Sequence, residues 1–479
     1  PQDATEITPQ MLTLVRLDEA EIDAIVQAVP GGAANVQDIY PLVPLQEGIL
    51  FHYVMSRGRD AYLTEVQLRF DSRARIDGFL AALQQVIERH DILRTAVLWE
   101  GLPQPLQVVW RQAPLPVEEV APDTSELAQG VDAMAQLTRR FSPAHYRLDV
   151  TKAPLLRAFI AQEAGGDTPE GGWVMQLLSH HLSTDHTTLE LLIGEIQLIL
   201  QGRQDLLPVP VPFRNFVARA RLGVSAEEHE AFFSEMLQDV EQPTAPFGLL
   251  DVQGDGSDIE EAKLDVEDGL AERLRVQARA LGVSAASLMH LAWARVLAMA
   301  SGQQDVVFGT VLFGRMQGGE GVGRTIGMLL NTLPVHIAVG SQEVVQAVRQ
   351  THELLTGLMR HEHASLAQAQ RLSRLDAGAP LFSALLNYRH SGASHHEGHD
   401  SDGEAHPRHN WDGIEQLDAH ERTNYPLNLM VDDFGQHFRL TAQVSGGVQA
   451  ARVCGYMHTV LEHLADALET QPRRPLDLI

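Results

Sequence analysis

The residues best suited to chemistry lie in one short run, His180-His181-Leu182-Ser183-Thr184-Asp185-His186. Adjacent imidazoles followed by a carboxylate suit proton transfer near neutral pH. A strand-like stretch from Trp173 to Ser179 leads into the run, and an amphipathic helix leads out. Thr187-Thr188-Leu189-Glu190 reads as the capping box of that helix, with Leu189, Leu192, Ile193 and Ile196 as its buried stripe. A helix start offers free backbone N–H groups and a positive dipole end. An imidazole there can take a proton from an amine while nearby N–H groups stabilise an oxyanion. Such a site suits attack of an amine on an activated acyl group. Spacing alone leaves two other readings open, core histidines bonded to backbone or half of a metal site.

Three other features invite chemistry less. His390, His395, His396, His399, His406 and His409 fall among Gly, Ser, Asp and Glu without apolar periodicity. That context reads as an exposed loop rather than a metal centre. Gly318-Gly319-Glu320-Gly321-Val322-Gly323 has neither dinucleotide nor P-loop spacing and reads as a turn. Cys454, the one cysteine, can form no internal disulfide and reads as a small packing residue.

The elements that position the active run are spread along the whole chain. A lead-in helix opens with capping-box spacing at Asp18-Glu19-Ala20-Glu21, carries Ile22, Ile25, Val26 and Val29, and stops at Pro30-Gly31-Gly32. Strands are expected at 62–70, 106–110, 155–161 and 173–179, with a helix from about Asp77. The Pro-rich stretch Leu207-Pro208-Val209-Pro210-Val211-Pro212 marks the expected lobe boundary. Beyond it, helices are expected at 226–238, 271–280, 285–300, 342–360 and 450–468. Strands are expected at 305–313, 381–388 and 438–444, with a further apolar run at 326–339. Strands and helices mixed in both halves predict α/β or α+β lobes. The expected division is a lead-in over 1–37, one lobe over 38–207 and a second over 208–479.

Composition narrows the function classes. The 479 residues are 44% hydrophobic and 21% charged, an ordinary globular balance. A formal net charge of −27 argues against tracking nucleic-acid phosphates and against docking on an anionic membrane. The first residues lack the basic and apolar regions of a signal peptide, and no apolar run approaches a membrane span. Cytoplasmic residence is the expectation. Opening on Pro1 rather than Met suggests a segment of a longer chain.

The active run is similar to the motif His-His-x-x-x-Asp-Gly of nonribosomal peptide synthetase condensation domains. Other stretches match in family order. Tyr40-Pro41-Leu42-Val43-Pro44-Leu45-Gln46-Glu47-Gly48 resembles the opening motif, in the form typical of branches that handle D-residues. Arg89-His90-Asp91-Ile92-Leu93-Arg94-Thr95 resembles the second motif, and Ile326-Gly327-Met328-Leu329-Leu330-Asn331-Thr332-Leu333-Pro334 a later one that lines the substrate channel. His361-Glu362-His363-Ala364-Ser365-Leu366, Pro380-Leu381-Phe382 and Asn424-Tyr425-Pro426-Leu427 fit the remaining positions.

This resemblance implies two chloramphenicol-acetyltransferase-like lobes in a V-shaped pseudo-dimer, with the active loop between them. It implies an acyltransferase that joins donor and acceptor aminoacyl thioesters into a peptide. Its partners would be upstream donor and downstream acceptor carrier domains, with an adenylation domain as neighbour. The domain would bind no cofactor itself; the phosphopantetheine arms belong to the carriers. His181 matches the key histidine, which removes the amine proton or positions the amine. His180 matches a structural histidine, and Asp185 a carboxylate held in an ion pair, with Arg94 as its expected partner. Asn331 is a substrate-channel residue by the same match.

The chain departs from the family pattern at two places. His186 stands where the family has glycine, either as a variant turned away from the channel or as a second acid/base or substrate-shaping group. The branch that also epimerises the donor carries His-His-(Ile/Leu)-x-x-x-x-Gly-Asp early in the chain. Here that stretch is His52-Tyr53-Val54-Met55-Ser56-Arg57-Gly58-Arg59-Asp60, keeping only the first histidine and the aspartate of its defining residues. The chain therefore resembles the dual branch with an eroded early motif. A second class of function follows from this erosion: a non-condensing platform of the same fold that recruits a tailoring enzyme such as a hydroxylase.

Overall fold

A strand covered on both faces reads as an unbroken apolar run rather than an alternating one. The stretch 173–180 is apolar at Trp173, Val174, Met175, Leu177 and Leu178, and every residue in it is buried. The computed structural model describes residues 6–55, 60, 62–163, 171–250, 252, 259–313, 325–375, 379–390, 413–420 and 425–479, without the side chains of 186, 416 and 418–420.

Helix α1 (Glu19–Ala28) begins at the expected capping box, with Asp18 and Glu21 bonded reciprocally. Strand β1 (Val36–Pro41) and helix α2 (Pro44–Met55) follow, then β2 (Leu63–Phe70) and α3 (Arg73–Arg89). Next come β3 (Thr95–Leu98), β4 (Leu106–Trp110), β5 (Val117–Glu119), α4 (Thr124–Ala128) and α5 (Ala133–Arg140). β6 (Leu156–Gln162), β7 (Trp173–His180), α6 (His186–Leu200) and α7 (Phe213–Leu222) complete this half. The second half runs α8 (Ala226–Leu237), β8 (Glu260–Val266), α9 (Asp268–Leu281), α10 (Ala285–Ser301), β9 (Asp305–Phe313) and β10 (Leu330–Ala338). It continues with α11 (Val344–Arg360), α12 (Leu366–Arg371), β11 (Ala384–His390) and β12 (Ile414–His420). β13 (Leu427–Asp433), β14 (Phe438–Val444) and α13 (Ala450–Thr470) end it.

Among the described residues these strands form three sheets, ordered β1-β4-β3, β12-β2-β7-β6-β5 and β10-β9-β11-β13-β14-β8. The mixed α/β character expected from the sequence is present in both halves. In the first, the apolar stripe of α3 (Ile76, Phe79, Leu83, Val86) and that of α6 (Leu192, Ile196, Ile199) share one core with Phe70, Leu156, Ala158 and Met175 of the central sheet. In the second, α10 and α13 bury almost their whole apolar surface in the core of the six-stranded sheet, Cys454 included. Among the described residues no single helix is long and apolar enough to cross a membrane.

The division of the chain differs from a cut at the Pro-rich stretch. One compact unit takes the described residues of Pro1–Gly223, Gly314–Leu329 and Gly403–Arg422; the other takes Val224–Phe313, Leu330–Asp402 and Thr423–Ile479. The chain does not separate at Pro212, because α7 buries Phe213, Phe216 and Val217 in the first unit's core. Strand β12 also returns to the first unit, pairing antiparallel with β2. The lead-in is no loose linker either: Ile22, Ile25 and Val29 pack with Val36, Ile39, Leu106, Val108 and Trp110. The helix expected from Asp77 begins one turn earlier, at Arg73, because Ser72 caps it.

A buried ion pair closes the second unit's sheet. Asp433 accepts from Arg275 Nη2 at 2.6 Å and from Gly435 N at 2.9 Å, and the Tyr388 hydroxyl donates to it. Burial raises its pKa, but Arg275, Tyr388 and Gly435 outweigh that effect and hold it at about 2. A lowered folded-state pKa gives stability that is complete above the ordinary carboxylate range and is lost as pH falls towards about 2. Asp433→Asn should therefore destabilise the protein by about 3 kcal/mol at pH 7. In urea unfolding, the gap between variant and wild type should narrow steadily below pH 4.

Candidate active site

The loop after β7 is held by its own backbone. His180 O accepts from Ser183 N at 3.0 Å and from the hydroxyls of Ser183 and Thr184, both at 3.2 Å. This turn swings the Thr184 carbonyl back towards His181, whose Nδ1 lies 3.0 Å from it. A carbonyl can only accept, so Nδ1 carries the proton. Nε2 is then the lone-pair nitrogen, and it makes no hydrogen bond within the described residues. The ring is half-buried, with the Tyr62 ring edge-on at 6.5 Å. This is the tautomer and exposure that a proton acceptor needs.

His180 is fully buried and faces the other way. Its Nδ1 accepts from Leu182 N at 3.1 Å, while Nε2 lies 3.2 Å from Asp60 Oδ2. Tyr53, the residue in place of the early motif's second histidine, packs edge-on to the His180 ring and donates its hydroxyl to Leu148 O at 2.9 Å. His52 is half-buried, 5.9 Å from the Tyr62 ring, and burial lowers its pKa. Residues 56–59 of the early motif lie outside the described residues.

Distant motifs close on the loop from three sides. From α2, Gln46 donates to Leu182 O at 2.7 Å and to Gln107 Oε1 at 3.0 Å, and accepts from Val43 N. At the start of α6, Asp185 is the N-cap, accepting from Thr188 N at 2.7 Å and Leu329 N at 3.3 Å. The Thr188 hydroxyl accepts from Gly327 N at 3.0 Å and donates to Gly327 O at 2.9 Å. Gly327 has φ +139°, and an added Cβ would lie 2.6 Å from the Phe213 ring, so no other residue fits unstrained. From α3, Arg89 and His90 both reach Glu195 of α6, at 3.1 and 2.9 Å. Burial raises the Glu195 pKa, but these two partners outweigh it and the net shift is downward.

Several expectations change here. The cap of α6 is Asp185, not Thr187: the helix already begins at His186, and the Asp185 carboxylate accepts from both Thr188 N and Leu329 N. Arg94 does not pair with Asp185. Its Nη1 donates to Gln37 Oε1 at 2.7 Å and to Trp110 O, which places the guanidinium at the end of β4. Arg94 supports the β1–β4 sheet rather than the active loop. His186 is the first residue of α6, and its side chain lies outside the described residues. Asn331 belongs to the second unit, where its amide donates to Glu362 O at 2.7 Å and Ala364 O at 2.8 Å. That amide pins a turn. In the same turn, His361 Nδ1 meets His229 Nδ1 at 2.8 Å and its ring stacks on Phe232.

His395, His396, His399, His406 and His409 lie outside the described residues, as does Gly318–Gly323. His390, which is described, sits 3.3 Å from Asp433. Among the described residues no cluster of His, Cys, Asp and Glu could hold a metal ion. The sequence reading missed Gln46, Thr188 and Glu195 as parts of the site. Gln46 was visible within the opening motif, but nothing in the sequence tied it to Leu182.

The Condensation domain family model matches residues 36–477. The chain is similar to segments of two proteins of Mortierella alpina, malpinin synthetase (49% identical over 99% of the chain) and malpibaldin synthetase (48% over 98%). It spans only 6% and 8% of the length of these relatives. Among solved structures it resembles the condensation domain of the monacolin K polyketide synthase MokA, with TM-score 0.62, 18% identity, and coverage of 92% of this chain and 100% of that one. It also resembles a complex of the X-domain and OxyB from teicoplanin biosynthesis, with TM-score 0.68, 17% identity, and coverage of 91% and 94%.

If Arg94 and Asp185 act apart, their stability losses should add. Asp185→Ala should cost about 1–2 kcal/mol through the lost cap. The double variant Arg94→Ala/Asp185→Ala should equal the sum of the singles within about 0.5 kcal/mol in urea unfolding. A larger interaction energy would restore the ion pair.

Proposed function

The chain belongs to the condensation-domain family, with its fold of two chloramphenicol-acetyltransferase-like lobes, and on that premise we propose that it forms peptide bonds between carrier-bound aminoacyl thioesters of a nonribosomal peptide synthetase. One observation carries the reading: among the described residues nothing bonds to His181 Nε2, and the Thr184 carbonyl holds the neutral ring's proton on Nδ1. The acceptor amine attacks the donor thioester carbonyl, the C–N bond forms, and the C–S bond breaks to release the carrier thiol. His181 Nε2 takes the proton that the amine loses. The donor and acceptor arrive on the phosphopantetheine arms of carrier domains, with an adenylation domain as neighbour in the longer chain.

The proposed activity leaves donor epimerisation aside. Tyr53 occupies the second histidine's place, and its hydroxyl is engaged with Leu148 O. The alternative, a platform that recruits a tailoring enzyme, would have no use for an imidazole held in a proton-accepting tautomer. Its attraction lies in His186 and in the altered early motif.

Mixing the protein with loaded donor and acceptor carriers should yield extended peptidyl-carrier, and His181→Ala should lower the rate at least about 100-fold. Absence of product with several matched carriers, together with tight binding of a hydroxylase, would establish the platform instead. A donor deuterated at its α-carbon should retain the label through condensation. Wash-out of that deuterium would reinstate epimerisation.

A further inference from the structure

We infer that Asp60 is a positioning residue that fixes the backbone on both sides of His181. Its carboxylate is buried and makes two contacts among the described residues. Oδ1 accepts from Tyr62 N at 3.2 Å, and the Tyr62 carbonyl in turn accepts from His181 N at 2.9 Å. Oδ2 lies 3.2 Å from His180 Nε2, and neither side chain has any exposed surface. The other nitrogen of that ring, Nδ1, accepts from Leu182 N at 3.1 Å. Accepting there requires Nδ1 to be unprotonated, so the ring proton sits on Nε2 and faces the carboxylate. The contact is off-line: neither Asp60 Oδ2 nor His180 Nε2 has a well-aligned hydrogen bond. Each is nevertheless the other's buried polar neighbour.

The consequence is geometric. A peptide unit is planar, so a residue's backbone conformation is the angle between the two planes that flank its Cα. For His181 those planes carry the N–H groups of residues 181 and 182. The first is held through Tyr62, the second through the His180 ring, and Asp60 touches both holders. Asp60 thus sets where the His181 Cα–Cβ bond points, without touching the imidazole. This accounts for an aspartate at the end of an early motif whose other defining positions have mostly changed. The inference rests on the reading that His181 is the reacting imidazole.

Asparagine is the discriminating substitution. Its one amide oxygen can accept from Tyr62 N or from His180 Nε2, and its NH2 would then meet an N–H at the other contact. Asp60→Asn should lower kcat for carrier-to-carrier condensation by about 10- to 100-fold while leaving KM for both loaded carriers within about twofold. In a His180→Ala background the conflict disappears, so adding Asp60→Asn should cost less than about threefold. Equal losses in the two backgrounds, or an unchanged kcat, would overturn the inference.

A readout independent of activity separates this inference from the reading it rests on. In protein labelled with 15N-histidine, with His180 assigned from the signals lost in His180→Ala, wild-type His180 should be the neutral Nε2–H tautomer. Asp60→Asn should perturb it. Finding His180 protonated on Nδ1 in the wild type would overturn the inference even if Asp60→Asn fails to fold. If the wild type forms no peptide while the tautomer is as expected, the condensation reading fails and the Asp60–His180 contact stands.

Discussion

A neutral imidazole has one proton for two nitrogens, so whichever nitrogen meets an acceptor surrenders its use as a base. At His181 that choice is made by the Thr184 carbonyl. The carbonyl can reach Nδ1 only because the turn is folded back on His180 O through Ser183 and Thr184. Undo the turn and Nδ1 is released, leaving either nitrogen free to carry the proton. The surrounding structure preserves this one geometry. β7 delivers the loop from a strand with no exposed face, and α6 leaves it through a carboxylate cap.

The matched motifs therefore contribute mostly scaffolding to this unit. Gln46 closes on Leu182 O, Gly327 on Thr188, and Arg89 with His90 on Glu195. Asp91 accepts from Phe213 N at 3.0 Å, which ties α7 to the end of α3. Burial raises the Asp91 pKa despite these backbone donors. Buried polar groups of this kind are costly unless paired, which is why each motif supplies a partner together with the group that needs it. A single substitution in such a network leaves its partner unsatisfied, so stability and rate should respond together at the scaffold positions.

Long elements with a strong apolar pattern were legible in the sequence: α3, α6, α10, α11, α13, β7, β9 and β14 fall close to their expected places. Three of the missed elements each have a physical cause. β8 reads Glu-Glu-Ala-Lys-Leu-Asp-Val and is exposed at most alternate positions, an edge strand whose charges hide its period. α2 buries Gln46 and exposes Phe51, Val54 and Met55, so hydrophobicity does not mark its inner face. β12 pairs with β2, far away in sequence, and nothing local announces that partner. At the site, the loop and its histidines were legible from type and spacing. The position of the cap was not, because Asp185, Thr187 and Thr188 are all competent caps, and Asp185 also meets Leu329 N from a distant segment. Nor was the fate of Arg94, whose guanidinium crosses the open end of the β3–β4 pair to the Trp110 carbonyl.

The departure at residue 186 bears on how far such a scaffold can drift. Glycine is required where φ is positive or where a side chain would collide. Position 186 is the first residue of α6, a helical conformation that any L-residue adopts, so the backbone itself does not demand glycine. Gly327 is the contrasting case, with both a positive φ and a ring in the way. Change is therefore tolerated at the cap's first turn and resisted where the two segments cross. Drift of that kind leaves the fold intact whether or not chemistry persists, since none of the scaffold contacts passes through His181 Nε2. The platform and the enzyme can share every buried hydrogen bond described above and still differ in what that one nitrogen meets.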